Sequence, residues 1–232
     1  MLFEIGPVFL PNTKGQLPHE LTRLAIALTG LRHPHTWDED ASGNYDFFDL
    51  KGIIEGLLRG LHIIEYEFCA ASQPTFHPGK CALLKIGENE IGWLGELHPK
   101  VKDNYDLLEA PILAADLYLE LLYSLNPQNF AVKPLGAYPP VIEDLAMIVP
   151  EETLSTSIEK VIYKTGGFLL HEVDLFDIFH GDQIGENKKS MAYRLTYQAP
   201  NRTLTDKDVG KLRDKIIKQL EKELGAKVRK AD

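Results

Sequence analysis

Residues 141–230 switch between two apolar periods, and the order of the switches leaves few folds open. VIEDLAMIV (141–149) is a β-prone apolar run and reads as a strand. TLSTSIEKVIYKTGG (153–167) repeats at three and four and reads as a helix. Thr156 with Glu159 three residues on resembles a capping box, and Gly166 with Gly167 stops the helix. FLLHEVDLFDIF (168–179) is a second strand, HGDQIGENKK a loop, and SMAYRLTYQ (190–198) a third strand. Thr205 with Asp208 opens a second helix that carries Val209, Leu212, Ile216, Leu220 and Leu224 on one face. AKVRK (226–230) closes the series as a short strand. The order β-α-β-β-α-β predicts a ferredoxin-like arrangement, an antiparallel sheet with both helices on one face and the other face open.

The first half is also mixed α+β. LFEIGPVFL (2–10) opens directly on a strand, followed by a turn-rich loop (11–20), a strand over 21–31 and a polar loop over 32–45. DFFDLKGIIEGLLRGL (46–61) places Leu50, Ile53, Ile54, Leu57, Leu58 and Leu61 at helical spacing. A strand is expected over 62–72, a turn over 74–81, and a hairpin over 81–98 reversed at Gly87, Glu88 and Asn89. A short helix (99–107), then a strand with a helical turn (110–125), complete this half. NPQNFAVKPLGAYPP (126–140) holds four prolines and little periodicity, so it reads as a linker between domains spanning 1–130 and 131–232. A strand at the very start, without cap or tail, suggests a piece of a longer protein.

Charge separates the halves. Residues 1–133 carry 10 Lys and Arg against 18 Asp and Glu, a net of −8; residues 134–232 carry 15 against 16, a net of −1. The overall −9 argues against a general nucleic-acid binder, and DNA is not an expected partner. Cys69 and Cys81 are too few for a disulfide framework and lack metal-ligand spacing. No apolar run reaches the roughly 20 residues that span a bilayer, and the N-terminus lacks the pattern of a secretory signal. A cytoplasmic protein without a membrane partner is expected.

An open sheet face suits unstacked bases, which stack on aromatic rings and are read at their edges by short polar groups. Asp177 and Phe179 point the same way if side chains alternate; the carboxylate could accept from a guanine N1–H and N2–H₂ edge while the ring stacks. Ser190, Ala192 and Arg194 share a face of the next strand. The residues alone leave a second reading open, with Phe179 in the core and Asp177 capping a turn. In the first half His77, Glu96 and His98 invite a hydrolase or zinc reading, but a nucleophile and a third ligand at helical spacing are missing from the pattern. No catalytic or metal residue is assigned. Ferredoxin-like domains also serve as amino-acid-binding regulatory modules; a glycine-rich loop after the first strand would favour that alternative, and PEETLST (150–156) has no glycine.

The strings LFEIGPVF, DFFDLKGIIEGLL, FHPGKCALL and IGWLGELHPKV, in this order, resemble the catalytic-like domain of the bacterial phenylalanyl-tRNA synthetase beta subunit. YPPVIEDLAMIV, LFDIFHGDQIGENKKSMAYRLTYQAPNRTLTDKDV and GAKVRK resemble its C-terminal ferredoxin-fold anticodon-binding domain. The resemblance covers nearly the whole chain. It implies a class II synthetase-like antiparallel sheet with helices, without a working active site, followed by an RNA-binding βαββαβ domain. It also implies that ATP and magnesium act in the alpha subunit of a heterotetramer, that no cofactor is held here, and that the first domain supports the alpha subunit. The anticodon contacts of phenylalanine tRNA would fall on Ala146, Asp177, Phe179 and Ser190, with Asp177 reading a guanine at the first anticodon base. Relatives often carry tyrosine in place of Phe179 and arginine in place of Glu143.

Overall fold

The computed structural model describes residues 1–13, 15–33, 43–107, 109–127 and 136–229. The chain divides into two compact units, Met1–Ala131 and Val132–Asp232. The proline-rich stretch read as a linker lies outside the described residues over 128–135.

The first unit runs β1 (Leu2–Leu10), β2 (His19–Thr29), α1 (Phe47–Gly60), β3 (Glu67–Ala70), β4 (Phe76–Ile86), β5 (Asn89–Leu97), α2 (Pro99–Asn104), β6 (Ile112–Tyr118) and α3 (Leu119–Ser124). Its six strands form an antiparallel sheet in the order β1-β2-β6-β5-β4-β3. Leu24, Ile26 and Leu28 of β2 and Leu113, Ala115 and Leu117 of β6 are buried with Leu50, Ile54 and Leu58 of α1. The spacing of the three α1 residues is the apolar stripe a helix needs to lie on a sheet. That helix begins at a capping box absent from the sequence reading. Asp46 accepts from the backbone of Phe48 and Asp49, and Asp49 accepts in return from the backbone of Asp46. The Arg32 guanidinium donates to Asp49 at 2.8 and 2.9 Å and holds its carboxyl below the usual range.

Two expectations for this unit need correction. Of the segment expected to turn at 74–81, only Pro74 and Thr75 do so; from Phe76 onward it is part of β4, whose pairing with β5 skips from Phe76 to Cys81, so the His-Pro-Gly residues form an irregularity inside a strand. The strand expected over 62–72 is paired only from Glu67 to Ala70. β1 is an edge strand of unusual character: Leu2, Phe3, Ile5, Val8, Phe9 and Leu10 are all exposed.

The second unit runs β7 (Val141–Pro150), α4 (Ser155–Gly166), β8 (Leu170–Phe179), β9 (Lys188–Tyr197), α5 (Asp206–Leu224) and β10 (Lys227–Val228). The strand order β10-β7-β9-β8, all antiparallel, is the split β-α-β topology expected from the sequence. Leu145, Met147, Val149, Met191, Tyr193, Leu195 and Tyr197 project from the strands into a core closed by Ile158 and Ile162 of α4 and Val209, Ile216 and Leu220 of α5. The box expected at Thr156 and Glu159 is not the start of α4. The cap is Leu154, without a side-chain bond, and Thr156 already lies inside the helix. Gly167, at φ 59°, ends it as expected. α5 does open on the expected box: Thr205 accepts from the backbone of Asp208, and Asp208 accepts from that of Thr205.

Candidate nucleic-acid interface

Pairing register sorts the strand residues of the second unit onto two faces, because directly opposed residues of antiparallel neighbours project to the same side. Ala146 of β7 lies opposite Ala192 of β9, which lies opposite Asp177 of β8. One step along, Ile148 lies opposite Ser190, and Ser190 opposite Phe179. The alternating residues Leu145, Met147, Met191 and Tyr193 are buried under the helices. Both rows therefore occupy the helix-free face. All four residues singled out in the sequence, Ala146, Asp177, Phe179 and Ser190, come together there, and the reading that placed Phe179 in the core does not hold.

A bulge in β8 makes this possible. Leu175 lies opposite Tyr193 and packs on the helix side; pairing then skips Phe176 and resumes with Asp177 opposite Ala192. In an unbroken strand Leu175, Asp177 and Phe179 would share one side. The extra residue reverses the parity, turning Asp177 and Phe179 outward. Phe179 is 45% exposed, whereas Ser190 beside it is only 5% exposed and forms part of the floor.

A third row consists of Asp144, Arg194 and Asp174. Arg194 donates through Nε and Nη2 to the two carboxylate oxygens of Asp144, at 2.9 and 3.0 Å. This pair lowers the Asp144 pKa and raises that of Arg194. The same guanidinium lies 5.2 Å from the centre of the Phe176 ring, which places Phe176 on the helix-free face as well. Glu143, the neighbour of Asp144, points the other way and accepts from Arg213 of α5 at 3.3 Å, so its side chain is remote from these rows.

Chemically, the face offers a ring, a carboxylate that only accepts hydrogen bonds, and a floor of alanine and serine small enough to admit a planar group. Carboxylates outnumber cations across the three rows, so a phosphate gains nothing at the centre. Lys188, exposed opposite Pro150 at the border of the sheet, is the nearest cation of β9 on the face of the Phe179 row, since Lys189 lies opposite the buried Val149 on the other side. Phe176 is the residue that the sequence reading missed. Two successive outward residues in LFDIF give no signal when a regular alternation is assumed.

In the first unit His77, Glu96 and His98 have separate surroundings. Glu96 accepts from Lys80 Nζ at 2.6 Å, His98 Nδ1 accepts from the Lys100 backbone as the cap of α2, and His77 Nδ1 is buried without a hydrogen-bond partner among the described residues. Among the described residues no group of three His, Cys, Asp or Glu could hold a metal ion. Arg23 is committed to Asp116, at 2.6 and 2.8 Å, and lies over the Tyr118 ring. Among the described residues no helix is long and apolar enough to cross a membrane.

Comparison with known proteins follows the same division. Residues 1–119 match the phenylalanyl-tRNA synthetase beta chain CLM domain, and residues 136–229 match the ferredoxin-fold anticodon-binding domain. The chain is 40% identical over 230 residues to the phenylalanine–tRNA ligase beta subunit of Clostridium acetobutylicum, and 41% identical over 230 residues to that of Clostridium tetani; each match covers 98% of this chain and 27% of the relative. It is 39% identical over 229 residues to the subunit of Listeria monocytogenes, covering 98% of this chain and 28% of that protein. The chain thus spans little more than a quarter of the length of these relatives. With its first half matched by the CLM domain and its open-faced sheet matched by the anticodon-binding domain, the chain belongs to the phenylalanyl-tRNA synthetase beta chain family.

Proposed function

We propose that the chain works as a non-catalytic part of a cytoplasmic phenylalanine–tRNA ligase, its second unit binding the anticodon of phenylalanine tRNA and its first unit supporting the alpha subunit during ATP-dependent aminoacylation. The observation that carries this reading is the placement of Ala146, Asp177, Phe179 and Ser190 on one helix-free sheet face. In roles, Asp177 accepts from the Watson–Crick edge of a guanine at the first anticodon base, Phe179 supplies the stacking face, and Ala146 and Ser190 line the floor. In this reading ATP and magnesium act in the alpha subunit, and the first unit of this chain serves as its support. The exposed apolar side chains of β1 are of the kind a protein partner covers.

The test uses anticodon stem-loops that differ only at the first anticodon base. The chain should prefer guanine over adenine there, and Asp177→Ala should relax the preference by about 1–3 kcal/mol, on the scale of a good base-edge contact. Equal binding to an unrelated stem-loop would remove the specificity. The isolated chain should support no ATP–pyrophosphate exchange with phenylalanine.

A further inference from the structure

We infer that the open sheet holds a second nucleotide subsite, in which a base adjacent to the one over Asp177 stacks on Phe176, with the Arg194 guanidinium bracing the ring. The inference rests on the anticodon reading above and extends that site by one nucleotide.

Phe176 has no use in folding that its placement reveals. As the bulged residue it opposes nothing on β9, it is absent from the core of the second unit, and the residue is 51% exposed. A phenylalanine left in water forfeits the stabilisation its burial would bring. The ring is nevertheless positioned. Arg194 lies 5.2 Å from its centre, and that guanidinium is itself fixed by two hydrogen bonds to Asp144, at 2.9 and 3.0 Å. A cation over one part of an aromatic ring steadies it without closing the exposed part to a base.

Charge and spacing select the kind of group that fits. The row beside Phe176 holds two carboxylates, Asp144 and Asp174, and one guanidinium, Arg194. Its net negative charge disfavours a phosphate and leaves an uncharged base as the suitable guest. Phe176 lies between the Leu175–Tyr193 and Asp177–Ala192 pairs, three residues before Phe179 on β8. That separation is at most roughly 10 Å at strand rise, against about 3.4 Å per nucleotide in a stacked strand. Two bases on the two rings are thus too far apart to stack on each other, and each needs a ring of its own. Splayed bases carried on separate aromatic side chains are the usual mode of single-stranded recognition. The bulge serves both subsites at once, since it turns Asp177 and Phe179 outward and leaves Phe176 as a second platform.

The test is a titration of the 232-residue chain into the anticodon stem-loop, with 2-aminopurine placed in turn at the nucleotide before and the nucleotide after the first anticodon base. Binding should change the emission at one of these positions. Phe176→Ala should abolish that change and weaken binding about tenfold, the scale of one lost stacking contact, while the guanine-to-adenine ratio at the first base stays as in the parent. Phe176→Leu keeps apolar bulk without a π-face and should behave like the alanine variant, whereas Phe176→Tyr should behave like the parent. Thermal midpoints close to the parent's would show that these half-exposed substitutions leave the fold intact. If Phe176→Ala and Phe176→Leu bind as tightly as the parent, the subsite is overturned and the Asp177 reading stands. If the parent itself does not distinguish guanine from adenine, the anticodon reading fails and takes the subsite with it.

Discussion

A Cβ placed on Gly181 would stand 2.8 Å from Cζ of Phe179 and 2.9 Å from one of its ε carbons. The glycine vacates the space the ring occupies, so the chain turn after β8 sets how Phe179 lies on the sheet. Gly181→Ala should push the ring aside at little cost to the fold, because the colliding atoms are the far end of a side chain. Affinity for the anticodon stem-loop should fall by part of the ~1–3 kcal/mol that one stacked base contributes, with the thermal midpoint almost unmoved. Unchanged affinity would mean that the ring position does not matter to binding.

Tyr193 and Tyr197 are fully buried, and neither hydroxyl has a hydrogen-bond partner among the described residues. A buried polar group without a partner destabilises, and its removal is free or favourable. Tyr193→Phe and Tyr197→Phe should each leave stability unchanged or raise it by up to about 1 kcal/mol, as read from urea midpoints. Burial, then the charge of Glu159 for Tyr193 and of Glu143 for Tyr197, pushes both phenols well above their ordinary value. A phenol whose pKa is raised by folding contributes stability below its unfolded pKa near ~10 that is lost as pH rises beyond it. Alkaline titration followed at 295 nm should therefore show these two rings ionising only with unfolding.

The start of α5 should be sensitive to acid. The Asp208 carboxylate accepts from Arg202 at 2.7 Å and from both the hydroxyl and the backbone of Thr205, at 2.8 and 3.1 Å. The Arg202 bond is the largest cause of its depressed pKa, followed by the Thr205 bonds. A depressed carboxyl stabilises above its unfolded pKa of about 3.9 and loses that contribution as pH falls toward the folded value. Asp208→Asn should be less stable than the parent at neutral pH, and the gap should narrow steadily below about pH 4. A gap constant from pH 7 to pH 2 would show that the carboxylate charge plays no part in the cap.

Gly92 of β5, at φ +152°, is the glycine of the first unit with the least room. A Cβ there would collide with the Asp116 carbonyl oxygen and stand 2.8 Å from Cα of Leu117 on β6. Backbone atoms of a central strand yield poorly. Gly92→Ala should cost about 2–5 kcal/mol from strain and overpacking together, visible as a lower urea midpoint.

The second unit was largely legible because its signals are local. Thr205 and Asp208 sit three apart before an apolar stripe, and Gly166–Gly167 ends the helix before β8. The face of the site was less legible. Whether Asp177 projects outward depends on a register skip at Phe176, which is a property of two paired strands and not of LFDIF alone. The same blindness applied to His-Pro-Gly, where turn-forming residues lie within β4 because β5 pairs on either side of them. Thr156 and Glu159 carried the pattern of a cap but start two positions too late, since the cap is Leu154 and α4 already begins at Ser155. The Asp46–Asp49 box was missed because aspartate, not the usual serine or threonine, opens it.

The character of β1 has a practical consequence for all of these measurements. Its outer margin bears backbone groups with no neighbouring strand among the described residues, and its side chains are oily on both surfaces. Such a border invites another copy of itself. The protein should therefore cluster as it is concentrated, and dilute samples are where the proposed affinity for RNA will be read cleanly.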